Sequence, residues 1–129
     1  MRPPKFITAL DGVVATTTSN QIYVGDFKRV ALLFKRAAHG SGNTAFTVTG
    51  GLAADASTDP TLLSYTMLID NVANTNSQTN YTHTASRTLS ANGIVYTWLD
   101  PNCPVTHIAI TATETTDGTH SAYVIGWED

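Results

Sequence analysis

Four histidines, His39, His83, His107 and His120, would say most about chemistry if they converged, because neutral imidazoles are common metal ligands. None lies within four residues of another, and no cysteine or acid pair completes a ligand spacing. The expectation is therefore no metal, with solvated histidines near turns. Asp55, Asp59 and Asp70 could form a carboxylate pair, yet acids in polar loops of this kind usually solvate the chain. The lone Cys103 excludes an internal disulfide and reads as an inert, half-buried thiol. The sequence holds no Gly-x-Ser-x-Gly elbow, phosphate-cradling loop or zinc-protease helix. No catalytic, cofactor-binding or metal-ligating residue is expected, and the chain is expected not to be an enzyme. A small hydrolase on a β scaffold, the rival of that class, needs a convergent nucleophile, acid and base that the sequence does not display. Asn80, Tyr81 and Thr82 spell a glycosylation acceptor, which 22 Thr and eight Asn would produce by chance. The aromatics Tyr96, Trp98, Tyr123 and Trp127 suit either a sugar-stacking platform or the core and rim of a sheet.

With no motif to anchor a reaction, the scaffold becomes the main object. Charged residues make up only 13% of the chain, against a usual quarter, while Thr is abundant. Thr is β-branched and stiff at χ1, and its hydroxyl is compatible with water, so this composition favours strands. A net charge of -3 and a pI near 5.7 argue against a nucleic-acid binder, which needs a broad basic footprint. No secretion signal is visible and no stretch approaches the ~20 apolar residues of a membrane helix. Synthesis in the cytoplasm is expected, with neither nucleic acid nor membrane as partner.

The chain is organised around KRVALLFKRAA (28–38), the turn HGSGN (39–43) and TAFTVTGGL (44–52). A two-residue period puts Val30, Leu32 and Phe34 on one face and Arg29, Ala31, Leu33 and Lys35 on the other. Gly40, Ser41, Gly42 and Asn43 tolerate the backbone of a tight reversal, so the stretch is expected to be a long hairpin. HIAITATETTDGTHSAYVIG (107–126) repeats that layout and is expected to be a second one. Two hairpins under the same steric rules look alike, so the echo does not establish a duplication. Short strands are expected over 6–10, 21–24, 62–69, 81–89 and 94–99, with polar loops over 53–61 and 70–80 and a turn at Asn92 and Gly93. Pro3 and Pro4 make residues 1–5 an extended arm, leaving 6–129 as one domain. The expected fold is all-β, a two-sheet antiparallel sandwich of eight or nine strands, for which a jelly roll is one arrangement. Val30, Leu32, Phe34, Phe46, Val48, Ile108, Ile110, Tyr123 and Ile125 are expected in or beside its core.

The phrases KFITALDGVVATTTS, RVALLFKRAAHGSGNTAFTVT, LIDNVANTNSQT and ITATETTDGTHSAYVIGWE resemble a recurring type of small virion protein of tailed bacteriophages, described as head decoration, cement or minor structural components. The resemblance covers most of the chain and carries no functional residue with it. It implies a β-sandwich without enzymatic activity, present in many copies on a phage particle as a homo-oligomer, a trimer by analogy. The implied partner is the major capsid protein or another virion protein. A carbohydrate-binding module, on a tail or fibre, is the alternative. From the residues themselves, Arg2, Pro3, Pro4 and the basic cluster of Lys28, Arg29, Lys35 and Arg36 are the expected protein contacts. Glu128 and Asp129 would place acid at the far end from that cluster. The competing reading of the cluster is solvated strand ends that keep an edge from aggregating.

Overall fold

The computed structural model describes residues 2–51, 68–71, 81–84, 86–101 and 105–129. The loop expected over 53–61, all but the first two residues of the loop expected over 70–80, most of the strand over 62–69, Asp55, Asp59, Asn80 and Cys103 lie outside them. Within them the fold is all-β. The strands are β1 (Lys5–Val13), β2 (Thr17–Thr18), β3 (Ile22–Tyr23), β4 (Arg29–Ala37), β5 (Gly42–Gly51), β6 (Leu68–Asn71), β7 (Tyr81–Thr84), β8 (Ser86–Leu89), β9 (Gly93–Leu99), β10 (His107–Thr116) and β11 (Thr119–Trp127). β2 and β3 are two-residue pieces, which leaves nine longer strands, as the alternation predicts.

One sheet has the order β1-β11-β4-β9-β6-β7, and the other β2-β10-β5-β8 with β3 also on β10. All pairings are antiparallel. The sheets meet through their inward parities. Phe34 of β4 stacks on Phe46 of β5 with ring centroids 4.8 Å apart and planes within 9°. Around that pair lie Val30, Leu32, Val48, Ile108, Ile110, Ala122 and Val124, all buried.

Strand pairing departs from expectation in one instructive way. β4 and β5 do not pair with each other: β4 lies between β11 and β9, and β5 between β10 and β8. The two expected hairpins are arches, each sending one strand to either sheet, and they interlock as β4 on β11 and β5 on β10. Alternation specifies which side of a strand is buried but not which strand lies beside it, and a Gly-containing turn serves either connection. Gly42 is needed in the first arch at φ +77°, where a side chain would also run into the carbonyl of Thr115. The Asn92 and Gly93 turn likewise joins β8 of one sheet to β9 of the other. Tyr81 to Leu89, expected as one strand, is two: β7 and β8 belong to different sheets. Asp70 and Asn71, expected in a loop, belong to β6. Asp11 and Gly12, residue types that favour turns, continue β1 through register shifts between Thr8 and Leu10 and between Leu10 and Val13.

Tyr123 and Ile125 correct the expected core. On β11 the inward residues are Ala122 and Val124, so Tyr123 and Ile125 face outward, opposite Leu33 and Ala31.

Candidate functional site

Three connections between the sheets, after β4, β8 and β10, gather at one end of the sandwich, and a buried polar layer joins them. Its centre is Arg36, 1% exposed. The sequence reading grouped Arg36 with Lys28, Arg29 and Lys35 as a surface cation; the period-two count from Phe34 turns it inward instead. Its Nη1 donates to Thr44 Oγ1 at 2.6 Å, and its Nη2 donates to the Ser41 carbonyl at 2.9 Å and to Asp117 Oδ1 at 3.2 Å. Its Nε lies 3.2 Å from His39 Nδ1. Thr44 Oγ1, which accepts from Arg36, is 2.8 Å from Nδ1 of the fully buried His120. The other nitrogen of His120 faces Glu114 Oε1 at 3.5 Å, too long for a good hydrogen bond.

Backbone groups complete this layer. Asp117 accepts from the amides of Gly40 at 3.0 Å and Ser41 at 3.2 Å, and Asn92 Oδ1 accepts from the amide of His39 at 2.8 Å. Those amide bonds, with Arg36 and His39 adding positive charge, hold the Asp117 carboxyl below its ordinary value. Side chains from the second and third connections therefore satisfy the backbone of the first. A buried guanidinium of this kind, with donors facing acceptors on three sides, is a fastener.

The histidines expected to be solvated split between environments: His39 and His120 belong to the polar layer, and His107 Nδ1 lies 2.9 Å from Thr106 Oγ1. Among the described residues no group of three or more His, Cys, Asp or Glu could hold a metal ion.

The outward face of the six-stranded sheet has a different character. Register across β1, β11, β4 and β9 aligns Phe6, Ile125, Ala31 and Trp98 in one row and Thr8, Tyr123, Leu33 and Tyr96 in the next. Trp127 and Arg29 flank these rows on one side, and Ser121, Lys35 and Ile94 on the other. Phe6, Ile94 and Tyr96 are 61%, 60% and 52% exposed. Phe6 and Tyr123 approach to 5.2 Å, Trp98 and Trp127 to 5.6 Å, and the Arg29 guanidinium lies 5.0 Å over the Trp127 ring. All four aromatics singled out from the sequence thus share this surface. Parity counted strand by strand could have found it, because apolar residues occupy both parities of β4, β9 and β11.

The remaining expected contact residues scatter. Lys28 and Lys35 are exposed, and Lys35 joins Arg29 on the outward face. Pro3 and Pro4 are exposed, while Arg2 lies 2.8 Å from Glu128, which Lys5 also meets at 2.8 Å. Those contacts hold the Glu128 carboxyl below its ordinary value, chiefly through Lys5. The C-terminal acid therefore sits among cations and next to Trp127, which corrects the expectation of a separate acidic end.

No family model matches the chain, and no curated protein matches it in sequence. Among solved structures it is similar to the SPBc2 prophage-derived protein YomS, with a TM-score of 0.56 and 13% identity over 95% of this chain and 93% of that one. PirA is a more distant likeness, with a TM-score of 0.42 and 8% identity over 97% of this chain and 94% of that one. At 13% identity the likeness to YomS is one of fold.

Proposed function

We propose that this chain is a non-enzymatic structural protein of a bacteriophage particle, seated on the capsid or another virion protein as a decoration or cement component. The observation that carries the reading is the outward face of the six-stranded sheet, where Phe6, Ile94 and Tyr96 remain largely exposed beside Trp98 and Tyr123. Exposed apolar surface of this extent marks a contact site more often than it marks chance. The resemblance of its strand and turn phrases to small virion proteins supports a phage setting, as does a fold shared with a prophage-derived protein. Many copies on one particle, in an oligomer such as a trimer, would multiply modest individual affinities.

Gradient-purified particles of the parent phage, quantified by mass spectrometry, test this reading. The chain should co-sediment at a stoichiometry comparable to a capsid or tail component and should persist through a mild salt wash. Its absence from particles and presence in the free lysate fraction would refute the assignment.

Carbohydrate binding is the second reading, favoured by Tyr96, Trp98, Tyr123 and Trp127 lying on one face. Against it, Arg29 caps Trp127, and the two tryptophan rings are inclined by 35° to each other, so this pair offers no flat stacking surface. Specific retention on a glycan array would favour this second reading.

A further inference from the structure

The geometry points to the outward face of β1, β11, β4 and β9 as the docking surface, and to a protein partner that presents an apolar patch bordered by carboxylates. This inference rests on the reading of the chain as a virion component and says which surface it uses. The two middle rows are apolar apart from Thr8, and among the positions that register places on this face only Arg29 and Lys35 are charged. Both are cations, on a chain whose net charge is -3. They stand at opposite ends of β4's outward row, so an apolar centre lies between two positive points. A partner with acid at matching points would be steered and oriented by them while the aromatic centre supplies the affinity.

The same charges disfavour a second copy as occupant. Two identical faces brought together would bury cations with no acid from either face to pair them. The area does not decide between occupants. Four strands at ~4.8 Å spacing and the nine residues of β4 at ~3.4 Å each give on the order of 600 Å² in plan. A face-to-face pair would bury about twice that, near the ~1,200 Å² lower limit of a stable interface, so the unpaired cations are what disfavour a second copy. The outward face of the other sheet supplies an internal control. Its register positions Ala45, Thr47, Thr49, Thr88, Ala109, Thr111 and Thr113 carry no charge and no aromatic ring, and the rings it does have, Tyr23 and His107, lie together at one end of β10.

The test uses the full chain and particles assembled without it, reloaded with purified protein at rising concentration. Ile94→Glu with Tyr96→Glu should weaken loading by at least about tenfold, the scale of a lost central contact. Thr88→Glu with Thr113→Glu, on the opposite face, should load within about twofold of the unmutated chain. Arg29→Glu with Lys35→Glu should weaken loading and abolish its decline with added salt. Thermal melts of each variant establish that the fold is kept, and Tyr96→Ser alone serves if the double variant melts early. Equal loading of the first two pairs would overturn the surface. Unchanged salt dependence in the charge variant would overturn the acidic border. A dimer in light scattering that Ile94→Glu dissociates, with loading unchanged, would make a second copy the occupant. Glycan retention lost with Tyr96→Ser would do the same for a sugar. If the unmutated chain never loads, the virion reading itself falls and this inference with it.

Discussion

On β4, Leu32 and Phe34 point inward and are fully buried, whereas Leu33, between them, points outward beside Tyr96 and Tyr123. The two faces of this sheet are similarly apolar across β4, β9 and β11. They differ in what covers them: the inner face has a second sheet stacked on it, and much of the outer face remains exposed. A strand that needs only one buried face can alternate, so apolar residues on both parities are what the proposed docking of the outer face on a partner requires. Inner-face substitutions should then register as lost stability, and outer-face substitutions as lost contact.

The largest effect should come from Phe34→Ala, which removes a fully buried ring stacked on Phe46 and should cost ~3 to 5 kcal/mol in denaturant unfolding. A change under about 1 kcal/mol would mean that the two sheets do not meet there. Arg36→Ala comes next, at ~2 to 4 kcal/mol, because it removes the guanidinium donors of the Thr44 hydroxyl and the Ser41 carbonyl and leaves Asp117 with only its two amide donors. Asp117 is 42% exposed and can rehydrate, which keeps this below the full cost of an orphaned buried charge. Stability unchanged by Arg36→Ala would mean that the polar layer fastens nothing.

Asp117→Asn probes the same layer through pH. The folded carboxyl titrates below its ordinary 3.8, so its contribution is fully present above that value and is lost as pH falls through the lower, folded one. The variant should therefore show a smaller loss of stability between about pH 6 and pH 3 than the unmutated chain. An identical acid profile would assign the acid sensitivity to other carboxylates. The smallest effect belongs to the outer face. Tyr96→Ser and Ile94→Ser should each change stability by less than ~0.5 kcal/mol, as exposed positions do. A loss of 2 kcal/mol or more would make the outer face part of the fold and erase the distinction between the two faces.

Alternation and turn residues made much of this fold legible: the all-β class, the number of longer strands, and seven inward residues from Val30 to Ile110. Partner choice was not legible, because the contacts that decide between a hairpin and an arch come from strands distant in sequence. That is why β4–β5 and β10–β11 read as hairpins. Arg36 was misplaced by letting its charge override its parity; a long side chain with several donors can be buried when acceptors surround it. Tyr123 and Ile125 were placed inward because both parities of β11 carry apolar residues, and alternation alone does not say which parity is the core. The outer face was readable only in part, because its aromatics come from separate strands whose alignment into rows depends on register.

The central claim, contact through the outer face of the six-stranded sheet, is tested most directly by high-resolution imaging of the phage particle. The account predicts density for this chain with Phe6, Ile94 and Tyr96 against an apolar patch of a neighbouring virion protein, and carboxylates of that neighbour near Arg29 and Lys35. A chain found on the particle with that face turned to solvent, or a particle without the chain, would contradict it.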